Sequence, residues 1–444
     1  MTGSLVIVPA LISDVDSVVG VLDEAASWLA ARRVEQWPCR FEPGWVEPDL
    51  VDGSTFLVLY AHDPIATITI TESDPVWPDD DVRAHYLHRF AVRRSHAGVG
   101  AAVLDWADAR AGRAGAHVLR LDCIASNTAL RDYLEAAAFR RQGYHTVSGP
   151  SSGRDGSQSE QPTGEIVVAT YERVVSTSAT CAASRVTLTE LPSDPEIDRA
   201  MADAWPPIES EVHSGWRLRF SGGVTRRANS VLTIGAQPDV EAVVDAAEAF
   251  YEERSATPTF LVSDASTPPL VPLSLAARGY RGADSTWMLV GTAAAVEQAF
   301  EPDDRWVVDV AGEPSESWLA TYRTVQGVGD DPAWEQIVTD HLLRPSFPAR
   351  FVTVREAPGA GEAVAVGQVV VGGGWGCLQC LATAPSGRRR GAATQAFRAL
   401  ATASHEAGAA NVFAAVAGGN VASLRLCRLA GMRPSHRYRY FALP

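Results

Sequence analysis

The sequence predicts mixed α/β folds, each a sheet with flanking helices, and three observations carry that expectation. Short apolar runs at strand spacing alternate with longer segments whose apolar residues recur at helical spacing. Twice, a strand runs straight into a Gly-containing turn that opens a helix. The same order of elements recurs at the two ends of the chain, as an internal repeat of architecture. With 444 residues, 46% of them hydrophobic, the chain is long enough for several cores.

The first copy begins with a strand over 4–10 and a helix over Val15–Arg33 after Asp14. Ser54–Tyr60 and Pro64–Thr71 form a hairpin turning at His62, Asp63 and Pro64. A strand at Tyr86–Val92, a Gly-containing loop and a helix over Ala101–Arg113 follow. Strand His117–Cys123, helix Thr128–Ala137 and strand Glu165–Tyr171 complete it. Val147–Thr163, rich in Ser, Gly and Gln, is a low-complexity insertion. The C-terminal copy has strands at Val364–Val371 and Cys377–Thr383, helix Thr394–Ala407, strand Asn411–Ala417, helix Val421–Leu429 and strand Tyr438–Leu443. Between them, Val231–Ile234, Val240–Glu253, Thr259–Val262 and Leu270–Arg278 echo the order without a Gly-rich loop. The expected division is 1–174, a linker at 175–185, a degenerate lobe at 186–297 and a C-terminal domain at 298–444.

Composition narrows the function. A net charge of -15, without any Lys/Arg block of five, argues against nucleic-acid binding, which draws its affinity from phosphate contacts. No apolar run approaches a membrane span, and the N-terminus lacks a basic, apolar leader, so the expected location is cytoplasmic. Six scattered cysteines do not form a disulfide framework. Cys377 and Cys380 make a CxxC in an apolar strand without a second pair or nearby His, so no metal is expected.

The chemistry points to the two strand–turn–helix junctions. Such a turn aims several backbone N–H groups, and the positive end of the helix dipole, at one point suited to a pyrophosphate. The C-terminal junction is Arg388, Arg389, Arg390, Gly391, Ala392 and Ala393, after Leu381, Ala382 and Thr383 at the strand end. The N-terminal junction has Gly98, Val99, Gly100 and Ala101 after Phe90, Ala91 and Val92, with Ser95 ahead of the glycines. Downstream, Asn127 opens a segment ending at Phe139, and Asn420 one ending at Met432. Each Asn is also an ordinary helix cap.

These four segments resemble the GNAT superfamily of acyl-CoA N-acyltransferases, over about 4–173 and 300–444. In that family a pattern of Arg/Gln, two residues, Gly, one residue and Gly/Ala is followed by an Asn-led helix ending in Gly-Phe. The segment Gly215–Phe220 and Arg227–Val231 is similar to two-lobed members whose front lobe lost the coenzyme loop. The resemblance implies tandem folds with acetyl-CoA as co-substrate in a V-shaped split between parallel strands, and direct acetyl transfer to an amine. It also implies a Tyr acid four residues before the motif Gly, but Leu134 and Cys427 stand there, and Ala138 replaces the first Gly. Tyr133, beside Leu134, is expected to point elsewhere.

Cys427 is the candidate acid, since an ordinary thiol titrates near ~8.5; a buried apolar role is its plainer reading. Tyr438 and Tyr440 are alternative donors. His88 is the candidate base on its strand, with His85 nearby and Gln379 in the other copy; Glu211 and His213 are candidates to reach the C-terminal cleft. The expected activity is acetyl-CoA-dependent N-acetylation of a small-molecule amine, with the C-terminal copy better equipped. The alternative is a non-catalytic acyl-CoA sensor or scaffold.

Overall fold

A computed structural model of the chain describes residues 5–60, 63–77, 80–148, 165–176, 188–190, 195–235, 239–265, 267, 270–328, 331–357 and 361–444. His62 of the expected turn, most of the insertion at 147–163 and most of the linker at 175–185 lie outside these residues. The chain divides into two units, Met1–Leu191 and Pro192–Pro444.

In the first unit, β1 (Leu5–Pro9), α1 (Val15–Ala30) and α2 (Glu47–Asp52) precede the meander β2 (Thr55–Tyr60), β3 (Asp63–Thr71) and β4 (Ala84–Val92). Then come α3 (Val99–Arg113), β5 (Val118–Ile124), α4 (Thr128–Ala136), β6 (Arg140–Ser148), β7 (Glu165–Val174) and β8 (Leu188–Glu190). The eight strands form one sheet in the order β6-β7-β5-β4-β3-β2-β1-β8. Both faces are covered, which explains the near-continuous apolar run of β2. Val99, Val103, Trp106 and Ala107 of α3 pack with Phe56, Val58 and Ile68 on one face. On the other, Val18, Val21 and Leu22 of α1 pack with Val8, Leu57 and Ala91. β8 pairs in parallel with β1, so residues expected to begin the next lobe extend this sheet.

The second unit opens with α5 (Pro195–Asp203), β9 (Glu209–His213), β10 (Trp216–Phe220), β11 (Val231–Leu232), α6 (Val240–Glu252), β12 (Thr259–Ser263), α7 (Val271–Ala277) and β13 (Arg281–Thr292). It continues with α8 (Ala293–Gln298), β14 (Trp306–Ala311), α9 (Glu316–Gln326), α10 (Pro332–Ile337), β15 (Ala349–Glu356), β16 (Ala365–Gly372) and β17 (Trp375–Thr383). Last come α11 (Ala392–Glu406), β18 (Asn411–Ala417), α12 (Val421–Leu429) and β19 (Arg433–Ala442). All eleven strands share one sheet, β14-β15-β16-β17-β18-β13-β19-β12-β11-β10-β9.

That order contains a strand exchange. β13, from the middle segment, lies between β18 and β19 of the C-terminal copy. β19 in turn lies between β13 and β12 of the middle segment. The sheet therefore runs across the boundary that the sequence places at 297/298. Local periodicity marks strands but not their long-range partners, so the exchange leaves no sign in the residue pattern.

Candidate functional site

In each unit a parallel strand pair opens into a split just before a Gly-containing turn. β4 pairs with β5 only at Ala84↔Val118, His85↔Leu119 and Tyr86↔Arg120, after which the two strands lose register. β17 pairs with β18 only at Trp375↔Asn411, Gly376↔Val412 and Cys377↔Phe413. A bulge accompanies each split. Arg89 has φ 45 where the β3–β4 register shifts, and Cys380 has φ 55 where the β16–β17 register shifts. Phe90, Ala91 and Val92 thus match Leu381, Ala382 and Thr383, each set just past its bulge.

The turns beyond the splits can hold a pyrophosphate. Gly98 and Gly391 are the residues before α3 and α11, at φ 100 and φ 97, a region that favours glycine. A Cβ on Gly98 would meet nothing within 4 Å, so the space before the helix is open. The first-turn N–H groups of Val99, Gly100 and Ala101, and of Ala392 and Ala393, have no acceptor within their own helices.

The arginines at these turns are largely engaged. Arg390 pairs with Glu356 and lies 5.4 Å from the Trp306 ring, while Arg388 donates to the Thr383 carbonyl (3.2 Å). At the other turn Arg93 pairs with Glu24, which also accepts the Arg94 N–H at 3.0 Å. The three arginines expected to serve one phosphate site are thus divided, leaving Arg389, at φ 56, as the one with no bond or ion pair among the described residues.

Both asparagines cap their helices: Asn127 Oδ1 accepts the Leu130 N–H and Asn420 Oδ1 the Ser423 N–H, each at 3.1 Å. Asn127 also donates through Nδ2 to Gln36 Oε1 (2.8 Å). Gln36 sits in the chain between Glu35 and Trp37, which line a cavity of about 800 Å³ together with Asp16, Phe41, Glu42 and Trp45, among others. Phe41 stands edge-on to Trp37 at 5.6 Å and to Trp45 at 6.2 Å. The Trp45 carbonyl accepts from Arg89 Nη2 (2.9 Å), so the cavity is tied to the bulge as well as to Asn127.

Comparison with known families decides the identity. A family model described as "Probable histone acetyltransferase Rv0428c C-terminal" matches residues 195–441, more than half of the chain, and the acetyltransferase (GNAT) family model matches 22–139. The chain belongs to the GNAT acetyltransferases. Among its relatives are two uncharacterized N-acetyltransferases of Bacillus subtilis. YobR is 27% identical over 246 residues, 55% of this chain and 97% of its own length. YesJ is 29% identical over 161 residues, 33% of this chain and 84% of its own. A GCN5-related N-acetyltransferase from Kribbella flavida aligns over 54% of this chain and 90% of its own, with 14% identity and a TM-score of 0.43.

Within this acetyltransferase, the ionisable groups are distributed unevenly between the two splits. At the N-terminal one, His88 Nε2 bonds Thr71 Oγ1 (2.9 Å) and Nδ1 faces Asp74 at 3.7 Å. Asp122 lies on β5 just past the last paired residue, and burial pushes its carboxyl up to about 6, with the Asp74 charge adding to the effect. Neither aspartate stands out in the sequence, because their importance comes from burial and from each other. His85 is different: burial lowers its pKa, and its Nδ1 has no partner among the described residues. Arg120 fixes the apex of the split through Asp80 (2.8 Å) and Glu172 (2.9 Å).

The C-terminal split brings amides, thiols and phenols together with the Arg227 guanidinium. Gln379 is tied to Gln368, Arg227 and the Ala204 carbonyl. Burial pushes the thiols of Cys377, Cys380 and Cys427 up to about 12. Cys427 is 1% exposed, as its plainer reading expects. Tyr438 and Tyr440 are buried 5.5 Å apart on β19, and burial raises the Tyr440 hydroxyl. Glu211 and His213, expected to reach this cleft, instead lie on β9 at the opposite edge of the sheet from β14 and pair with each other at 3.3 Å. Tyr133 is a second correction: its hydroxyl does not point away but stands against Gly100 at the start of α3.

Proposed function

We propose that this enzyme transfers an acetyl group from acetyl-CoA to the amine of a small molecule, with proton transfer in the N-terminal split. The observation that carries this reading is the aromatic and acidic cavity held between Arg89 and Asn127. It lies beside the strand split and is large enough for a small ligand. Glu35, Glu42 and Asp16 outweigh the Arg40 guanidinium in the lining and favour a cationic molecule, and the Trp37, Phe41 and Trp45 rings offer faces for it to rest on.

Acetyl-CoA supplies the activated thioester. Gly98 and the first turn of α3 provide a place for its phosphates, and the divergence of β4 from β5 leaves backbone groups for its pantetheine arm. The attacking amine must lose a proton as its nitrogen bonds to the acetyl carbon. Asp122, titrating near 6, is mostly ionised at neutral pH and still basic enough to accept that proton. His88, held by Thr71 and facing Asp74, is the second acceptor at this place. As the C–S bond breaks, the thiolate takes a proton; the Tyr133 hydroxyl, which stands against Gly100, is the donor we assign.

Cys427 is not assigned a role, because a buried thiol near 12 is a poor proton donor. The C-terminal copy keeps the turn geometry but has Gln379 and Ala415 at the register positions that His88 and Asp122 take in the N-terminal copy, which supports binding rather than proton transfer there. Release of free CoA from acetyl-CoA, measured across a panel of small diamines, aromatic amines and histone-tail peptides, tests the reading. Turnover of small amines that falls with Asp122→Asn and Trp37→Ala supports it. Turnover of histone peptides alone would move the substrate to protein amines, and coenzyme binding without any turnover would favour the sensor.

A further inference from the structure

The segment Arg227–Val231 has a purpose that the coenzyme sites do not explain. Asn229 uses its whole amide to shape the loop before it. Oδ1 accepts from the Ser221 and Gly223 N–H groups (2.8 and 2.9 Å), and Nδ2 donates to the Val224 and Thr225 carbonyls (2.7 and 2.8 Å). Thr225, at φ 59, is further held by Trp205 Nε1 (3.0 Å). This loop directs Arg227 at β17, where its Nη1 donates to Gln379 Oε1 at 3.0 Å. Gln379 lies two residues past the last paired position of β17, at the mouth of the split.

A second guanidinium, Arg219, lies near enough to feel the charge of the first. Arg219 is fully buried; Nε and Nη2 both donate to Ser230, at 2.9 Å each, and Nη1 has no partner among the described residues. Burial lowers its pKa to about 10, as expected for a cation without a counter-charge. Among the described residues, neither Arg219 nor Arg227 has a carboxylate within ion-pair distance, whereas Arg217, on the same strand as Arg219, pairs with Asp203 at 2.5 Å. Buried cations are costly unless an anion and hydrogen bonds compensate them. The neighbours are amides and aromatic rings, Gln368, Gln379 and Tyr440, whose ring Arg226 also approaches at 5.3 Å, with the Trp205 ring 5.9 Å from Arg227.

We propose that Arg227, with Arg219 nearby, binds the carboxylate of a small ligand at the mouth of the β17–β18 split. A guanidinium presents its N–H groups as a planar fork that matches a carboxylate, and Gln379 Oε1 now occupies one of those donors with an sp² oxygen of the same kind. A phosphate dianion would cost more to dehydrate at this place than a monoanion. The site goes beyond the acetyl-transfer reading, since it concerns the other unit and needs no turnover.

Binding is measured on the full chain without coenzyme, so its failure and a failure of acetyl transfer are separable. Thermal shifts are recorded at matched ionic strength with propionate and each of the L-amino acids, then with propionamide and the amino-acid amides, and with inorganic phosphate. The expected result is a rise in Tm with at least one carboxylate, none with its amide, and roughly a tenfold or greater loss of affinity in Arg227→Gln. Arg227→Lys is expected to keep part of the response. No shift with any carboxylate, equal shifts with acid and amide, or a stronger response to phosphate would each overturn the proposal. If Arg227→Gln does not fold, the acid–amide comparison on the native chain decides alone.

Discussion

The hydroxyl of Tyr133 closes over the Cα of Gly100: a Cβ added there would come within 2.7 Å of that oxygen, with Phe90 Cζ at 3.5 Å. Gly100→Ala is therefore expected to push the ring aside, costing about 1 kcal/mol of stability. Tyr133→Phe removes the offending atom and leaves the ring carbon at 3.6 Å, an ordinary contact. A double-mutant cycle by chemical denaturation should show Gly100→Ala costing less when it is combined with Tyr133→Phe. Additive effects would show that the two residues do not meet.

Ala138 stands at φ 65, a left-handed conformation that costs an alanine about 1–2 kcal/mol. Ala138→Gly should relieve most of this and, after the extra chain entropy of glycine, raise stability by up to about 1 kcal/mol. A lower Tm in the variant would contradict the conformation.

Asp122 makes stability depend on pH. Its folded pKa of about 6 is above the unfolded value, so the folded state binds the proton more tightly. The contribution is fully present below about pH 4 and is lost as pH rises through about 6. It amounts to at most about 3 kcal/mol. Asp122→Asn should abolish that part of the slope in denaturation midpoints. If Asp122 is also the base, kcat falls about 100-fold while coenzyme affinity holds.

Gly98→Ala and Gly391→Ala test the two turns separately. At Gly391 the nearest atoms to a new Cβ lie at 3.7 Å, so the penalty comes from the backbone at φ 97 rather than from crowding. Calorimetry with CoA should resolve two sites in the native chain, and each variant should weaken one by roughly tenfold or more. One site that survives both substitutions would place the coenzyme elsewhere.

Much of this is legible in the sequence because it is local. The strands and helices around both turns follow from periodicity and from Gly98 and Gly391, and both asparagine caps lie where expected. The misses are non-local. β13 is not among the strands that periodicity marks, and nothing in Arg281–Thr292 signals that it pairs with β18 and β19. Tyr133 departs from expectation because Leu134 takes the core-facing position, 2% exposed, which turns its neighbour toward α3 rather than away from it. Asp74 and Asp122 come from separate elements, and only folding brings their charges near enough to act on each other.

The strand exchange also orders events during synthesis. β12 and β13 are made early, yet their shared neighbour β19 follows only after everything from α8 to α12. Until Arg433–Ala442 leaves the ribosome, both halves of the second unit expose an unfinished sheet edge, a template for wrong pairing. The first unit does not wait for that strand. A stall or truncation between β13 and β19 should therefore leave a folded N-terminal unit attached to an aggregation-prone tail, and the middle lobe, though without a coenzyme turn, could not be deleted without stranding its partner.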